Sequence, residues 1–287
     1  MELRFGISVP TSASRGSDPI AFAREAESLG FDLVTVSDHL HGTHPTFETW
    51  TLLTWIAAST SRVTVAPTVL GLPYRWPSVV AKMAESLDRL SGGRLILGLG
   101  GGGSDDEFRG FGVPVRTPRE KVEALAEAIE VIRGLWSQPS LSYRGRHFVL
   151  EGAELEPKPD RHIPIWTGSY GPRSLAVTGR LADGWNPSYP YLPPEAAVRA
   201  RDILLRAAAE AGRDPDALTC AYNVPVYVDE KAQPNPRMVT GGSDEVAERL
   251  AELVRLGFGT LIFWVRGGEE SRHRLAQEVI PAVRSIL

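Results

Sequence analysis

Short apolar runs alternate with longer amphipathic stretches along this chain, and the alternation repeats eight times. The runs are Leu3 to Val9, Asp32 to Val36, Val63 to Ala66, Arg94 to Leu97, Ile163 to Thr167, Gly184 to Asn186, a stretch within Thr219 to Val228, and Thr260 to Val265. Between them the spacing predicts helices over Pro19 to Leu29, Thr46 to Ser59, Ser78 to Leu90, Arg119 to Trp136, Pro172 to Arg180, Pro194 to Ala211, Asp244 to Leu256 and Glu270 to Ile286. Runs of Val, Ile and Leu without polar alternation suit parallel strands covered on both faces. Eight such units in 287 residues predict an α/β chain folded as a (β/α)8 TIM barrel, with an open doubly wound sheet as the alternative. Nothing resembling a linker interrupts the pattern, so residues 1–287 read as a single domain. Three stretches exceed ordinary connections: Gly103 to Pro118, Ser137 to Arg161 with the hairpin-like Leu141 to Val149, and the Pro-, Asn- and Gly-rich Asp229 to Gly242. The first two are expected to be insertions at the C-terminal rim of the barrel.

The totals exclude several classes of partner. A net charge of −4 argues against a nucleic-acid footprint, which needs clustered Lys and Arg in excess, and leaves a small molecule as the expected ligand. The single Cys220 permits neither an intramolecular disulfide nor a cysteine metal site, and its apolar surroundings suit a buried structural thiol. No apolar run approaches the ~20 residues of a membrane span and no signal-peptide core follows Met1, so a cytoplasmic location is expected.

In a barrel, chemistry belongs to the residues that end each strand. The second strand ends in Ser37-Asp38-His39, which puts an imidazole able to donate a hydrogen bond or move a proton near pH 7 at the rim of the cavity. A structural histidine held by its own loop is the alternative, and Asp38 is expected to orient local backbone. The sequence continues to His41 and His44, but i, i+2, i+5 spacing shares no helical face and no Glu sits where a second shell would want it, so no metal site is expected. The third strand ends in Ala66-Pro67-Thr68-Val69, where proline forces a bulge or unusual peptide, or else a plain turn with Pro73. The fourth runs into Gly98-Leu99-Gly100-Gly101-Gly102-Gly103. Those glycines satisfy G-x-G-x-x-G, yet three carboxylates follow at 105–107 and the next helical pattern waits until about Pro118, so a nucleotide-phosphate cradle is not expected. The fifth ends in Thr167-Gly168-Ser169, followed by Tyr170-Gly171-Pro172-Arg173 at a helix start, which suits an anion. Of Trp50, Trp55, Tyr74, Trp76, Trp166, Trp185 and Trp264, about two are expected to face a ligand, the others being core.

Four stretches carry a resemblance to a known family: Ser37-Asp38-His39-Leu40, then Leu87-Asp88-Arg89-Leu90-Ser91-Gly92-Gly93-Arg94 with the glycine strand, then Lys158-Pro159 with Ile163 to Gly168, and Gly171-Pro172-Arg173 leading to Ala182-Asp183-Gly184-Trp185-Asn186. Over essentially its whole length the chain resembles the bacterial luciferase-like flavin and deazaflavin oxidoreductase superfamily. The resemblance implies a barrel that binds coenzyme F420 or FMN at the strand C-termini and moves a hydride at carbon five of the ring. Ser-Asp-His is similar to the F420-dependent branch, and an FMN-dependent luciferase-like monooxygenase is the alternative. His39 is then the candidate catalytic residue. The family's non-prolyl cis peptide maps onto Pro67-Thr68, with Val69 beside the ring; Asp38, His39, Gly100 and Gly102 flank the cofactor, and Ser169, Gly171, Pro172 and Arg173 map onto its phosphate region. The resemblance also implies a homodimer. F420-dependent glucose-6-phosphate dehydrogenases carry a Glu and a Trp where this chain has Gly103 and Thr43, which puts a sugar-phosphate substrate in doubt. Glu107 matches a Glu of the wider family, in a structural or a proton-transfer role. Glycine at 103 keeps open a third reading, a non-catalytic deazaflavin carrier.

Overall fold

In the structure, a computed structural model that describes residues 2–40 and 42–287, the apolar runs come together as one ring of parallel strands. The strands are β1 (Arg4–Ser8), β2 (Leu33–Val36), β3 (Thr64–Pro67), β4 (Leu70–Gly71), β5 (Leu97–Gly100), β6 (Leu141–Arg144), β7 (Val149–Ala153), β8 (Ile165–Thr167), β9 (Gly184–Trp185), β10 (Thr219–Val228), β11 (Val239–Gly241) and β12 (Thr260–Val265). Pairing runs β3-β2-β1-β12-β10-β9-β8-β5-β4, and β11 adds to β10. β3 and β4 end this order yet follow one another in the chain, so together they act as a single barrel strand. The expected barrel therefore forms.

Helices cover the outside: α1 (Pro19–Ser28), α2 (Thr49–Ser59), α3 (Pro77–Leu90), α4 (Asp105–Gly110), α5 (Pro118–Ser137), α6 (Pro172–Leu181), α7 (Pro194–Glu210), α8 (Ser243–Arg255), α9 (Gly268–Arg274) and α10 (Ile280–Ile286). Their starts follow from local chemistry. Asp18 accepts the Ile20 and Ala21 amides, and Thr117 and Glu120 form a reciprocal capping box. The last helix is interrupted by a π turn at Leu275–Val279, which admits Pro281 where a regular helix would need its missing N–H.

The interior is plugged by Leu33, Ala66, Ile96, Trp166, Ala221 and Ile262, all buried in a cluster of their own. Glycines on neighbouring strands make room for the two largest: a Cβ at Gly6 would strike Leu33, and one at Gly184 would strike Trp166. The filled interior sets the floor of the hollow at the C-terminal mouth.

Three expectations are corrected. The fourth strand, expected over Arg94 to Leu97, shifts to β5 at Leu97–Gly100, so the glycines end that strand as expected while Leu95 makes a separate bridge to Val65. A short helix, α4, does follow them, although its first turn carries Asp105, Asp106 and Glu107 and so repels an anion. Finally, Ser137 to Arg161 does not rim the mouth. The β6–β7 hairpin starts where α5 ends, at the opposite end of the barrel, and lies along α5: Glu127 accepts the Arg146, His147 and Phe148 amides, and Leu141, Phe148 and Leu150 are buried. Of the two insertions expected at the rim, only Gly103 to Pro118 lines the mouth.

Candidate active site

The break between β3 and β4 shapes the site. Thr68 still donates to the Val36 carbonyl, so the Pro67-Thr68 peptide continues the β3 ladder, and the non-prolyl cis bond lies one residue later, at Thr68-Val69. The Val69 side chain then enters a socket of glycines. A Cβ at Gly100 would collide with Val69, one at Gly98 would meet the Pro67 carbonyl, and Gly168 stands in contact on β8's far end. The close approach at Gly98 and Gly100 is thus to protein, not to a ligand, and it is Val69 that faces the hollow.

Above Val69 lies a cavity of about 450 Å³, bounded on opposite sides by the His39 loop and the start of α6. His39 Nδ1 lies 2.8 Å from Glu107 Oε1, and the Tyr74 hydroxyl donates to Glu107 Oε2 at 3.1 Å. Burial alone would raise the Glu107 carboxyl, but the hydrogen bonds from His39 and Tyr74 and the charge of His39 outweigh it and hold the group below its ordinary range. Burial, reinforced by the Glu107 charge, pushes the Tyr74 phenol well above its usual range, so it remains a donor. An ionised Glu107 fixes the Nδ1–H tautomer of His39 and leaves Nε2 to hold or pass a proton. The acid that seemed absent at Gly103 is thus supplied four residues on, by the first turn of α4.

Asp38 lines the same cavity, but its carboxylate is committed: it accepts the Gly71 amide at 2.7 Å and both Arg75 terminal nitrogens at 2.7 and 3.2 Å. It ties β2 to β4, as a backbone-orienting residue would. Thr68, Gly100, Gly102, Ser169 and Gly171 also line the cavity. Pro67, Pro172 and Arg173 do not: Pro67 is spent in β3, and Pro172 and Arg173 face outward from the first turn of α6. That turn has no side-chain cap, so its free amides offer an anion site without Arg173. Ser169 is held by its surroundings, its carbonyl accepting the Trp185 indole and its hydroxyl joined to Thr167 and Thr178.

Sequence reasoning missed Asn186. It is 3% exposed and lines the cavity, yet neither its Oδ1 nor its Nδ2 has a partner among the described residues. A buried amide is expensive to leave unpaired, so Asn186 is available to pair with whatever fills the cavity, ligand or water. Its position directly after Ala-Asp-Gly-Trp was the available signal. Of the seven aromatics, Tyr74 lines this cavity and Trp264 a neighbouring one, whereas Trp166 and Trp185 are core. His41 lies outside the described residues, and among the described residues His44 joins no convergent donor set. The described donors that do converge are Glu25, Glu269 and His273, away from the cavity, where Glu25 already holds Arg272 and His273.

Similarity to known proteins agrees with this geometry. An F420-dependent glucose-6-phosphate dehydrogenase of Microbacterium testaceum is 28% identical, with 98% of each chain covered. An F420-dependent hydroxymycolic acid dehydrogenase of Mycobacterium tuberculosis is 32% identical over 84% of this chain and 64% of its own. Among solved structures, an F420-dependent secondary alcohol dehydrogenase in complex with an F420-acetone adduct superposes with a TM-score of 0.89 at 21% identity, covering 99% of this chain and 100% of that one, which shows a shared fold. Residues 3–237 match the luciferase-like monooxygenase family, and the chain belongs to it.

Proposed function

We propose that the protein is an F420-dependent oxidoreductase that moves a hydride between the deazaflavin and a small organic substrate. The observation that carries this reading is the Tyr74–Glu107–His39 chain beside a cavity with an unpaired buried amide, in a protein whose full-length relatives include F420-dependent dehydrogenases. The residues present fit the cofactor: Asn186 offers both a donor and an acceptor to a ring edge, Val69 backs the ring, and the uncapped start of α6 with Ser169 and Gly171 suits its phosphate. F420, when bound, supplies a ring carbon that gives or takes hydride. His39 holds the proton that balances the change on the substrate, and Glu107 keeps its ring in place.

Titration with F420 and with FMN tests the reading, with F420 expected to bind and FMN to bind far more weakly. Tight FMN binding without F420 binding overturns it. Asn186→Leu is expected to weaken F420 by about tenfold or more and to raise the melting temperature of the ligand-free protein, because an unpaired buried amide gives way to an apolar side chain. A lower melting temperature would mean that the amide is satisfied without ligand.

A homodimer is part of the same proposal. Val79 and Leu90 on α3 are 54% and 82% exposed and line a groove between α2 and α3 with Trp50, Met83 and Leu87, an apolar surface suited to a second copy. Sedimentation should find a dimer for the wild-type chain and a monomer for Leu90→Arg; a wild-type monomer sinks the idea.

A further inference from the structure

The mouth of the barrel holds a second cavity, of about 330 Å³, that the cofactor reading does not use. It lies over the C-terminal ends of β10 and β12 and shares Ser188 and Asn223 with the first. Tyr170 on the wall of the first and Tyr191 on the wall of the second meet edge-on, with centroids 6.3 Å apart, and the Tyr170 hydroxyl accepts the Ser188 amide at 3.1 Å. Two aromatic rings thus form part of the partition, and Ser188 and Asn223, joined side chain to side chain at 3.4 Å, line both spaces along it.

Two features say what this space takes. Its body is apolar, with Pro190, Pro225 and Met238 between Tyr191 and Trp264, and the last two are left 73% and 53% exposed. Large aromatic surface standing open beside a cavity is characteristic of a binding site. Its charge is positive, from Arg237 and Arg266. Among the described residues neither guanidinium has a carboxylate within ion-pair distance; Arg266 instead lies over the Trp264 ring at 4.7 Å. The acids of the adjoining segment are engaged elsewhere, Glu230 by Arg274 and Asp229 by the Tyr227 hydroxyl and the Lys231 amide. Unpaired guanidinium groups at the edge of an apolar hollow select an anion.

We propose that this second cavity is the substrate subsite and that it takes an anionic molecule with an apolar, preferably aromatic, body. The acidic group lies on Arg237 and Arg266, the body lies against Trp264, Tyr191 and Met238, and the reacting end points past Ser188 and Asn223, which line both cavities, toward the first. The assignment as substrate subsite rests on the F420 reading; the ligand chemistry does not. A polyhydroxylated body is disfavoured, since Ser188, Asn223 and Tyr191 supply few neutral partners for its hydroxyls.

The test uses 8-anilinonaphthalene-1-sulfonate and its neutral counterpart N-phenyl-1-naphthylamine, titrated by fluorescence into the wild-type protein and the exposed-site variant Arg237→Gln/Arg266→Gln. The variant is expected to bind the sulfonate about tenfold more weakly or worse and the neutral amine within about twofold, with F420 affinity also within about twofold. Trp264→Ala should weaken both probes. Sulfonate affinity unchanged in the double variant overturns the proposal. So does a tenfold loss of F420 affinity with the probes unaffected, which would assign the arginines to the acidic tail of the cofactor. Should wild-type protein bind no F420, the function reading fails, while the two probe arms still decide the chemistry of the cavity.

Discussion

His39→Ala lowers F420-linked turnover by about 10²- to 10⁴-fold, the range for loss of a positioned acid–base group. F420 affinity falls far less, since the imidazole is 66% exposed and contributes little of the cavity wall. Glu107→Gln keeps the shape but removes the charge that orients the ring. A charge-assisted hydrogen bond contributes about 1.5–3 kcal/mol, so the loss through His39 is roughly 10- to 100-fold. Glu107 is held below the ordinary carboxyl range, so it stays an acceptor at neutral pH and loses that role only on acidification through its lowered value. Steady-state rates followed by deazaflavin absorbance check both variants. Wild-type turnover in His39→Ala removes the imidazole from the proton path, and an absence of turnover in the wild type with every substrate tried favours a carrier.

Asp88→Ala is expected to cost about 3 kcal/mol of stability and to leave F420 affinity unchanged in whatever protein stays folded. The carboxylate is 4% exposed and accepts the Leu95 amide at 3.1 Å and the Arg161 fork, with Nε at 3.1 Å. Arg161 in turn donates to the Leu95 carbonyl at 2.7 Å, so one substitution frees an amide at the entry to β5 and strands a guanidinium that is about one-third exposed. The partial exposure keeps the cost at the lower end of the range for broken buried pairs. Thermal unfolding should show a drop of roughly 6–12 °C. A shift of a degree or two would show that the turn holds without the carboxylate.

These two residues illustrate which parts of the molecule the sequence made readable. The motif around Asp88 drew attention as a family marker, and its work is architectural. Gly92 and Gly93 at positive φ turn α3 into the β5 run, while Arg94 donates to the carbonyls of Ala57, Thr60 and Val63 at the closed end of the barrel. Asp183 of the Ala-Asp-Gly-Trp stretch does the same, accepting the Ile165 amide and pairing with Arg133 and His162. Such turns are local, and spacing reveals them. The position of His39 at the cavity was legible for the same reason, because it lies in the loop directly after β2.

Glu107 and Asn186 were harder because their roles depend on approach across the barrel. Glu107 reaches His39 over 68 residues of sequence, and the spacing of Asp105-Asp106-Glu107 does not say which of three acids turns inward; only the family resemblance pointed to Glu107. The displaced cis peptide has a similar origin: only the hydrogen bond from Thr68 to Val36 shows that the ladder extends one residue past the proline. The hairpin was recognised as a hairpin, but its location required the three amides that Glu127 gathers.

The carboxylate that orients His39 resides on α4, within the one inserted segment that also walls the cavity. Shape and acid are therefore inherited as a unit. Transplanting residues 103–118 between related barrels would exchange the contour offered to a substrate and the histidine's partner in a single cassette. Diversification of specificity in such a scaffold can proceed by trading one loop, while β2 and the residues after it that bear the imidazole are left untouched.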